Sequence, residues 1–429
     1  MFKKVVLRIL FILFCFHVAS AQLTYDSPES VGLNSNDIQT QVDSIMHYAI
    51  IEKAFPGAQL LVAKKGKIIF HQAYGYHTYD SIKKVALNDV YDLASVTKIT
   101  GPLPALMKLY EEGKIELDVP FSKYWTDWKH QKDKKNITLR ELLAHQSGIK
   151  PYIIFLNEAL KKGKIKRRFL RTKKSKRYSN QFYKNLYIKN RFKHKIYRKI
   201  KRVKADGKKE YLYSGIASLI YPQVIENITG VSYQKYIQEN FYDPLDCTTL
   251  GYIPMHKNFK NAIVPTEFDT IVRKDLTRNW VHDENAALFG GVSGNAGLFS
   301  SAEDMAKYMQ MLLQNGSYAG KQYFKPQTVK EFTRIQYFEN NNRRGLGFDK
   351  PLIGNDTLSI KDSYPAPQVS SESFGHSGFT GTFVWADPKH NLVFVFLSNR
   401  VYPSRTHRNI YNLNIRPKLQ QVFYKALKD

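Results

Sequence analysis

Two apolar hairpins lie near opposite ends of the chain, and this placement constrains the fold more than any other feature. "GAQLLVAKKGKIIFHQAYG", at 57–75, reads as two strands joined by Lys64-Lys65-Gly66-Lys67. "GTFVWADPKHNLVFVFLSN", at 381–399, reads as two more, turning at Asp387-Pro388-Lys389-His390-Asn391. If the four strands share one sheet, that sheet is built from both ends of the chain, and everything between them is an insertion.

The intervening segments carry helical signals. Ile38, Val42, Ile45, Met46, Ala49 and Ile50 form one stripe of a helix running from Asp37 to about Lys53. "PLPALMKLYEEGK" reads as a helix that Gly113 ends, and "ITLRELLAHQSGI" as a short helix followed by a tight turn. "SSAEDMAKYMQMLLQNG" starts with a capping box from Ser300 to Glu303 and stops at Asn315-Gly316. Pro417 opens a terminal helix with Leu419, Val422, Phe423 and Leu427 on its buried side. No internal repeat and no Gly/Ser or Pro linker divides the chain. The expected fold is mixed α/β (α+β): an antiparallel sheet formed from both termini and flanked by helices, with an inserted, mainly helical lobe.

The first residues, "MFKKVVLRILFILFCFHVASAQ", combine Lys3, Lys4 and Arg8 with an apolar run to Phe16 and a small-x-small site at Ala19-Ser20-Ala21. This is the pattern of a cleaved secretory signal at 1–21, and the apolar run is short for a bilayer span. Residues 22–429 are then one domain outside the cytoplasm, secreted or periplasmic, with no transmembrane segment after cleavage. Bulky Phe14 precedes Cys15, which makes it a poor lipid-attachment site. The remaining cysteine, Cys247, has no Lys, Arg or His within five residues and reads as a buried structural thiol.

The net charge of +28 suits a nucleic-acid binder, but residues 161–210 alone hold 23 Lys+Arg against 2 Asp+Glu. The rest of the chain is nearly balanced, no nucleic-acid recognition motif accompanies the charge, and export removes the usual partner. Ile188, Phe192, Ile196 and Ile200 recur every four residues, so the second half of this basic insertion reads as a helix docked on the body. Its first half has few apolar residues and reads as mobile. The charge suits an anionic envelope surface such as lipopolysaccharide, membrane or a charged polysaccharide. A solvated cover over the active site is the simpler account.

Chemistry enters at "LASVTKIT". Ser95 stands where an extended segment meets a helix, which aims backbone N–H groups at whatever Ser95 attacks. Lys98, one turn on, falls on the same face. A lysine accepts a proton only when neutral, a state that burial or neighbouring cations favour. Downstream, "EYLYSGIASL" offers the phenol of Tyr213 for proton relay, and "FGHSGFTG" offers His376-Ser377-Gly378 at a strand edge. The glycines there admit close approach of a substrate, and an N–H just after Gly378 can complete an oxyanion hole.

These three segments, in this order, resemble the motifs of the serine β-lactamases and penicillin-binding proteins. The match is to the class C branch, with its related esterases and D-amino-acid peptidases. That branch carries Ser-x-x-Lys, Tyr-x-Asn and Lys/His-x-Gly; here they read Ser95-Val96-Thr97-Lys98, Tyr213-Ser214-Gly215 and His376-Ser377-Gly378. "FPGAQLLVAKKGKIIF", "ITLRELLAHQSGI" and "GNAGLFSSAEDMAKYMQMLL" resemble the same family. "VHDENAALFGGVSGNAGLFS" and "NRRGLGFDKP" are similar to serine-hydrolase modules of Bacteroidetes-type envelope proteins.

The resemblance implies a β-lactamase/transpeptidase-like fold and a serine hydrolase working through an acyl-enzyme without a cofactor. Ser95 would be the nucleophile and Lys98 its base. Tyr213 would share proton transfer, and His376 would position Tyr213 or bind a substrate carboxylate. The N–H groups of Ser95 and Phe379 would hold the oxyanion, with Gly215, Ser377 and Gly378 lining the substrate. Substrates would be small molecules or cell-wall peptides, through ester, β-lactam or D-amino-acid amide bonds. Gly215 stands where the family has Asn or Asp, and His376 replaces a lysine. Both changes favour esters or small acyl compounds, and the loss at 215 also fits a penicillin-binding sensor with little turnover.

Three other features read as structural. His145 in "LLAHQSG" is a turn residue remote from the motifs. Asp283 and Glu284 are adjacent, so they point apart and do not pair as in a glycosidase. The glycines of "GGVSGNAG" form a packed turn near the site, without the Lys-Ser/Thr ending of a phosphate loop. No metal-ligand spacing such as H-E-x-x-H occurs.

Overall fold

The computed structural model describes residues 22–256 and 261–427. Residues 1–21, where a secretory signal is expected, lie outside the described residues.

The two hairpins meet as expected. Strand Leu392–Ser398 pairs antiparallel with Gly57–Lys64 over seven residue pairs, from Leu392↔Lys64 to Ser398↔Ala58. The six-stranded sheet runs in the order 24–25, 67–75, 57–64, 392–398, 383–387, 374–377. Only the short first strand, Thr24–Tyr25, is parallel to its neighbour. Lys65 (φ 52) and Gly66 (φ 77) take left-handed conformations at the first turn, the geometry that matches strand twist in a two-residue hairpin.

Successive residues of the central strands face opposite layers, which is why the runs 60–63 and 392–397 are apolar without a break. Leu60, Val62, Phe394 and Phe396 pack with Ile38, Val42, Met46, Leu419 and Phe423 of the two terminal helices. Leu61, Ala63, Val393 and Val395 face the other way, onto Met305 and Met309 of helix Ala302–Leu313 and the inserted lobe. The N-terminal helix spans Ser35–Ile51 because the Asn34 side chain caps it, accepting from the Asn36 and Asp37 N–H groups.

Two helix starts differ from expectation. The cap of helix Ala302–Leu313 is Ser301, accepting from the Asp304 N–H, because Ser300 is held in strand Leu298–Ser300 opposite Tyr91. The C-terminal helix begins at Ile415, with Pro417 inside its first turn, where a missing N–H costs nothing because the first four donors lack intrahelical partners. Cys247 is buried, and burial pushes its thiol well up, as for a structural cysteine.

The basic insertion differs most. Its helix is Phe192–Arg202, burying Phe192, Ile196 and Ile200, whereas Ile188 belongs to a strand. The first half is ordered as a small sheet of 170–171, 186–188 and 180–183. Leu170, Phe182 and Tyr183 are its buried anchors. Tyr183 Oη donates to the Leu276 carbonyl (3.0 Å), and the Arg273 guanidinium lies 5.7 Å from the Phe182 ring. A few large side chains suffice to dock it, although charge dominates its composition. Acidic residues of the body meet part of that charge: Glu158 pairs with Lys195 and Lys199, and Glu141 with Lys209.

Candidate active site

A second, three-stranded sheet of 91–92, 251–252 and 298–300 delivers the Ser95 segment. Strand Tyr91–Asp92 ends in a sharp turn at Ala94, whose φ of 46° is unusual for a residue with a Cβ. The buried Asp92 carboxylate fixes this turn by accepting from the Ala94 N–H (2.8 Å) and the His282 N–H (2.7 Å). Short helical turns follow, Ala94–Val96 and Thr97–Thr100. Ser95 and Lys98 thus share one face. Lys98 Nζ donates to Ser95 Oγ at 2.9 Å and to the Asn295 carbonyl at 3.2 Å, with the lysine 8% exposed.

Tyr213 closes the group. Its ring centroid is 5.6 Å from Lys98 Nζ, 5.7 Å from the Arg344 guanidinium and 4.4 Å from the His145 ring. Burial by itself would raise the phenol, but Lys98, Arg344 and hydrogen bonds with Ser95 and Lys98 outweigh it, and the net shift is downward. His145 is therefore not remote from the motifs. It takes a left-handed turn (φ 56) as a turn residue does, and the same turn lays its ring on Tyr213. Its Nδ1 accepts from the Ser214 N–H, and burial holds the ring neutral.

His376 sits on strand Phe374–Ser377, 6.3 Å ring to ring from Tyr213. Burial pushes it down to about 3, with the Arg344 charge adding to the effect. Its Nδ1 lies 2.8 Å from the Ser377 carbonyl, so Nδ1 carries the proton, and Nε2 is a buried acceptor without a hydrogen-bond partner among the described residues. A neutral ring with an open acceptor has nothing with which to attract a carboxylate.

Gly378 lies against the nucleophile turn. A Cβ there would meet Thr382 Oγ1 at 2.0 Å and the Leu93 carbonyl at 2.5 Å. Thr382 Oγ1 also donates to the Leu93 carbonyl and Thr380 Oγ1 to that of Asp92, which stitches the 374–387 hairpin to the Ser95 segment. The Phe379 N–H has no hydrogen-bond partner among the described residues, while its carbonyl accepts from Arg400 Nε (2.7 Å).

These groups open on a cavity of about 340 Å³ lined by Ser95, Lys98, Tyr213, Gly215 and Phe379 together with Tyr152, Asp283 and Arg405. A Cβ at Gly215 would meet only Lys98 Cε, at 3.9 Å, so the missing side chain leaves open space. Asp283 and Glu284 do point apart. Asp283 caps helix Glu284–Leu288 and accepts from Asn295 Nδ2 (3.0 Å), whereas Glu284 pairs with Arg405. "GGVSGNAG" is the packed turn that presents the Asn295 carbonyl to Lys98. Asn295 and Arg344 lie in segments quoted for their family resemblance, but the site groups they meet, Lys98 and Tyr213, are far away in sequence, so nothing local marks either one.

Sheet, lobe and cavity define a serine hydrolase of the β-lactamase/transpeptidase-like fold. The chain belongs to the beta-lactamase family, whose profile matches residues 37–416. A relative from Escherichia coli O157:H7 named "Putative D-alanyl-D-alanine carboxypeptidase" is 30% identical over 404 residues, 88% of this chain and 86% of that one. Among solved structures, EstCE1, a hydrolase with promiscuous acyltransferase activity, superposes with a TM-score of 0.64 at 18% identity, covering 90% of this chain and 98% of its own. A class C beta lactamase from Rhodobacter sphaeroides does so with a TM-score of 0.61 at 16% identity, covering 90% and 99%. No helix among the described residues is long and apolar enough to cross a membrane.

Proposed function

We propose that the protein is an exported serine hydrolase that cleaves esters and small acyl compounds through an acyl-enzyme on Ser95. The observation that carries this reading is Lys98 Nζ at 2.9 Å from Ser95 Oγ, at the floor of an open cavity. Ser95 Oγ attacks the carbonyl carbon while its proton passes to the Lys98–Tyr213 pair. The N–H groups of Ser95 and Phe379 receive the oxyanion. The carbonyl–leaving-group bond then breaks, and the leaving group takes the proton. Water, activated by the same pair, releases the acid and frees Ser95.

The cavity wall supports the substrate class. His376, next to Tyr213 but not itself lining the cavity, is neutral, and on the wall Arg405 is committed to Glu267 and Glu284. Among the described residues lining the cavity, Lys98 is engaged with Ser95 Oγ and the Asn295 carbonyl, so a terminal carboxylate finds no unengaged basic side chain there, and Gly215 offers no side chain to an amide. Ser95-dependent turnover of an activated ester, exceeding that of a penicillin or a D-Ala-D-Ala peptide, is the expected result. Efficient turnover of nitrocefin with little ester turnover overturns the preference.

A second reading, hydrolysis of D-amino-acid amides in cell-wall peptides, is favoured by the name and 30% identity of the Escherichia coli relative. Release of D-alanine from such a peptide by the wild type, and not by Ser95→Ala, would establish it. Export rests on the basic and apolar pattern of residues 1–21. N-terminal sequencing of protein recovered outside the cytoplasm is expected to begin at Gln22.

A further inference from the structure

Tyr213 is faced by Ser95, Lys98, His145, Tyr211, Arg344 and His376. Both histidines are held neutral by burial. The fixed charge nearby is an ion cluster on the loop after Asn342. There Arg343 Nη2 and Arg344 Nη1 each lie 2.8 Å from the same Asp349 carboxylate oxygen. One carboxylate shared between two guanidiniums leaves a surplus positive charge, and Arg344, at 1% exposure, is shielded from solvent and salt. The cluster is rigidly seated. Arg344 Nη2 donates to the Gly347 carbonyl, and Asp349 exchanges two backbone hydrogen bonds with Gly375, on the strand that carries His376.

We infer that Arg344, seated by the Gly347 carbonyl, is a positioning residue that supplies Tyr213 with the fixed positive charge His376 does not carry. Its work is electrostatic. It favours the phenolate of Tyr213, so that the group receiving the Ser95 proton is competent at lower pH. The inference rests on the proposed role of Tyr213, and it is read without turnover.

The experiment is a phenolate absorbance titration of wild type, Arg344→Gln, Arg344→Lys and Asp349→Asn, each as a difference from the same protein carrying Tyr213→Phe. The expected result is a Tyr213 transition below the ordinary tyrosine value in wild type. In Arg344→Gln it moves up by about one unit or more, a roughly tenfold loss of phenolate at fixed pH. In Arg344→Lys it is largely restored. In Asp349→Asn it moves the other way, because a negative charge is removed, whereas a merely structural role would damage both variants alike. The Asp349→Asn direction also decides the matter if Arg344→Gln does not fold. A transition that stays in place in Arg344→Gln, or moves upward in Asp349→Asn, overturns the inference. Loss of all Ser95-dependent turnover in wild type would overturn the proposed function instead and leave this titration readable.

Discussion

Lys98 Nζ bridges Ser95 Oγ and the Asn295 carbonyl, at 2.9 and 3.2 Å, so the nucleophile and the turn at 290–297 are tied through one side-chain nitrogen. Replacing Lys98 by Met keeps the apolar stem and removes the charge and the donors. The expected loss in kcat/KM on an activated ester is about 10²–10⁴-fold, the range for a positioned acid–base group. Unchanged turnover in this variant would remove Lys98 from the mechanism.

Gly378 has no room for a methyl group, with Thr382 Oγ1 and the Leu93 carbonyl within 2.5 Å of its hypothetical Cβ. Gly378→Ala is expected to separate the hairpin from the Ser95 turn at a cost of about 1–3 kcal/mol, with activity falling by more than stability accounts for. Chemical denaturation and kcat/KM, measured together, check this.

Position 215 is the reverse case. Only Lys98 Cε approaches a Cβ there, in ordinary contact, so Gly215→Asn is expected to fold as wild type. The new amide narrows the cavity and offers hydrogen bonds to an amide-bearing substrate. Acylation by a penicillin should rise relative to turnover of a simple ester. A ratio that stays constant would show that the missing side chain does not set the preference.

Burial lowers His71 to about 4 and His376 to about 3 from an ordinary 6.5. Between 6.5 and those values the unfolded chain holds more protons than the folded one, so stability falls as pH is lowered through that window. His376→Asn is expected to flatten part of this slope in denaturation midpoints taken from pH 7 to 4. The pH profile of kcat/KM should carry no histidine limb between 6 and 7.

Deleting 161–210 exposes the surfaces under Phe182, Phe192, Ile196 and Ile200, each worth about 1.5–3 kcal/mol of burial. The shortened protein is expected to melt well below wild type or to fail to fold. A variant that replaces only exposed lysines of 173–177 should keep wild-type stability. If the deletion melts as wild type does, the insertion is an appendage and not a wall of the lobe.

What could be read from the sequence divides along physical lines. The two hairpins were legible because the runs 60–63 and 392–397, covered on both faces, are apolar without interruption, and Gly66 marks the first turn. Ser95, Lys98, Tyr213 and His376 were legible as short motifs in a fixed order, and the fold brings the four together. Arg344, Asn295 and the contact of His145 with Tyr213 depend on loops meeting across the lobe, and no local period or spacing records such meetings. The first half of the insertion was hidden differently. Leu170, Phe182 and Tyr183 are too sparse to show a strand pattern among so many cations, although each finds a buried place.

The central claim is that Ser95 is acylated and then released. Intact mass of the mature protein and of Ser95→Ala should be recorded during incubation with an activated ester and with a penicillin, alongside product release. Wild type is expected to show a transient adduct with continuing release from the ester, and Ser95→Ala neither. An adduct of equal size and rate on Ser95→Ala, or ester turnover that survives the substitution, would contradict it.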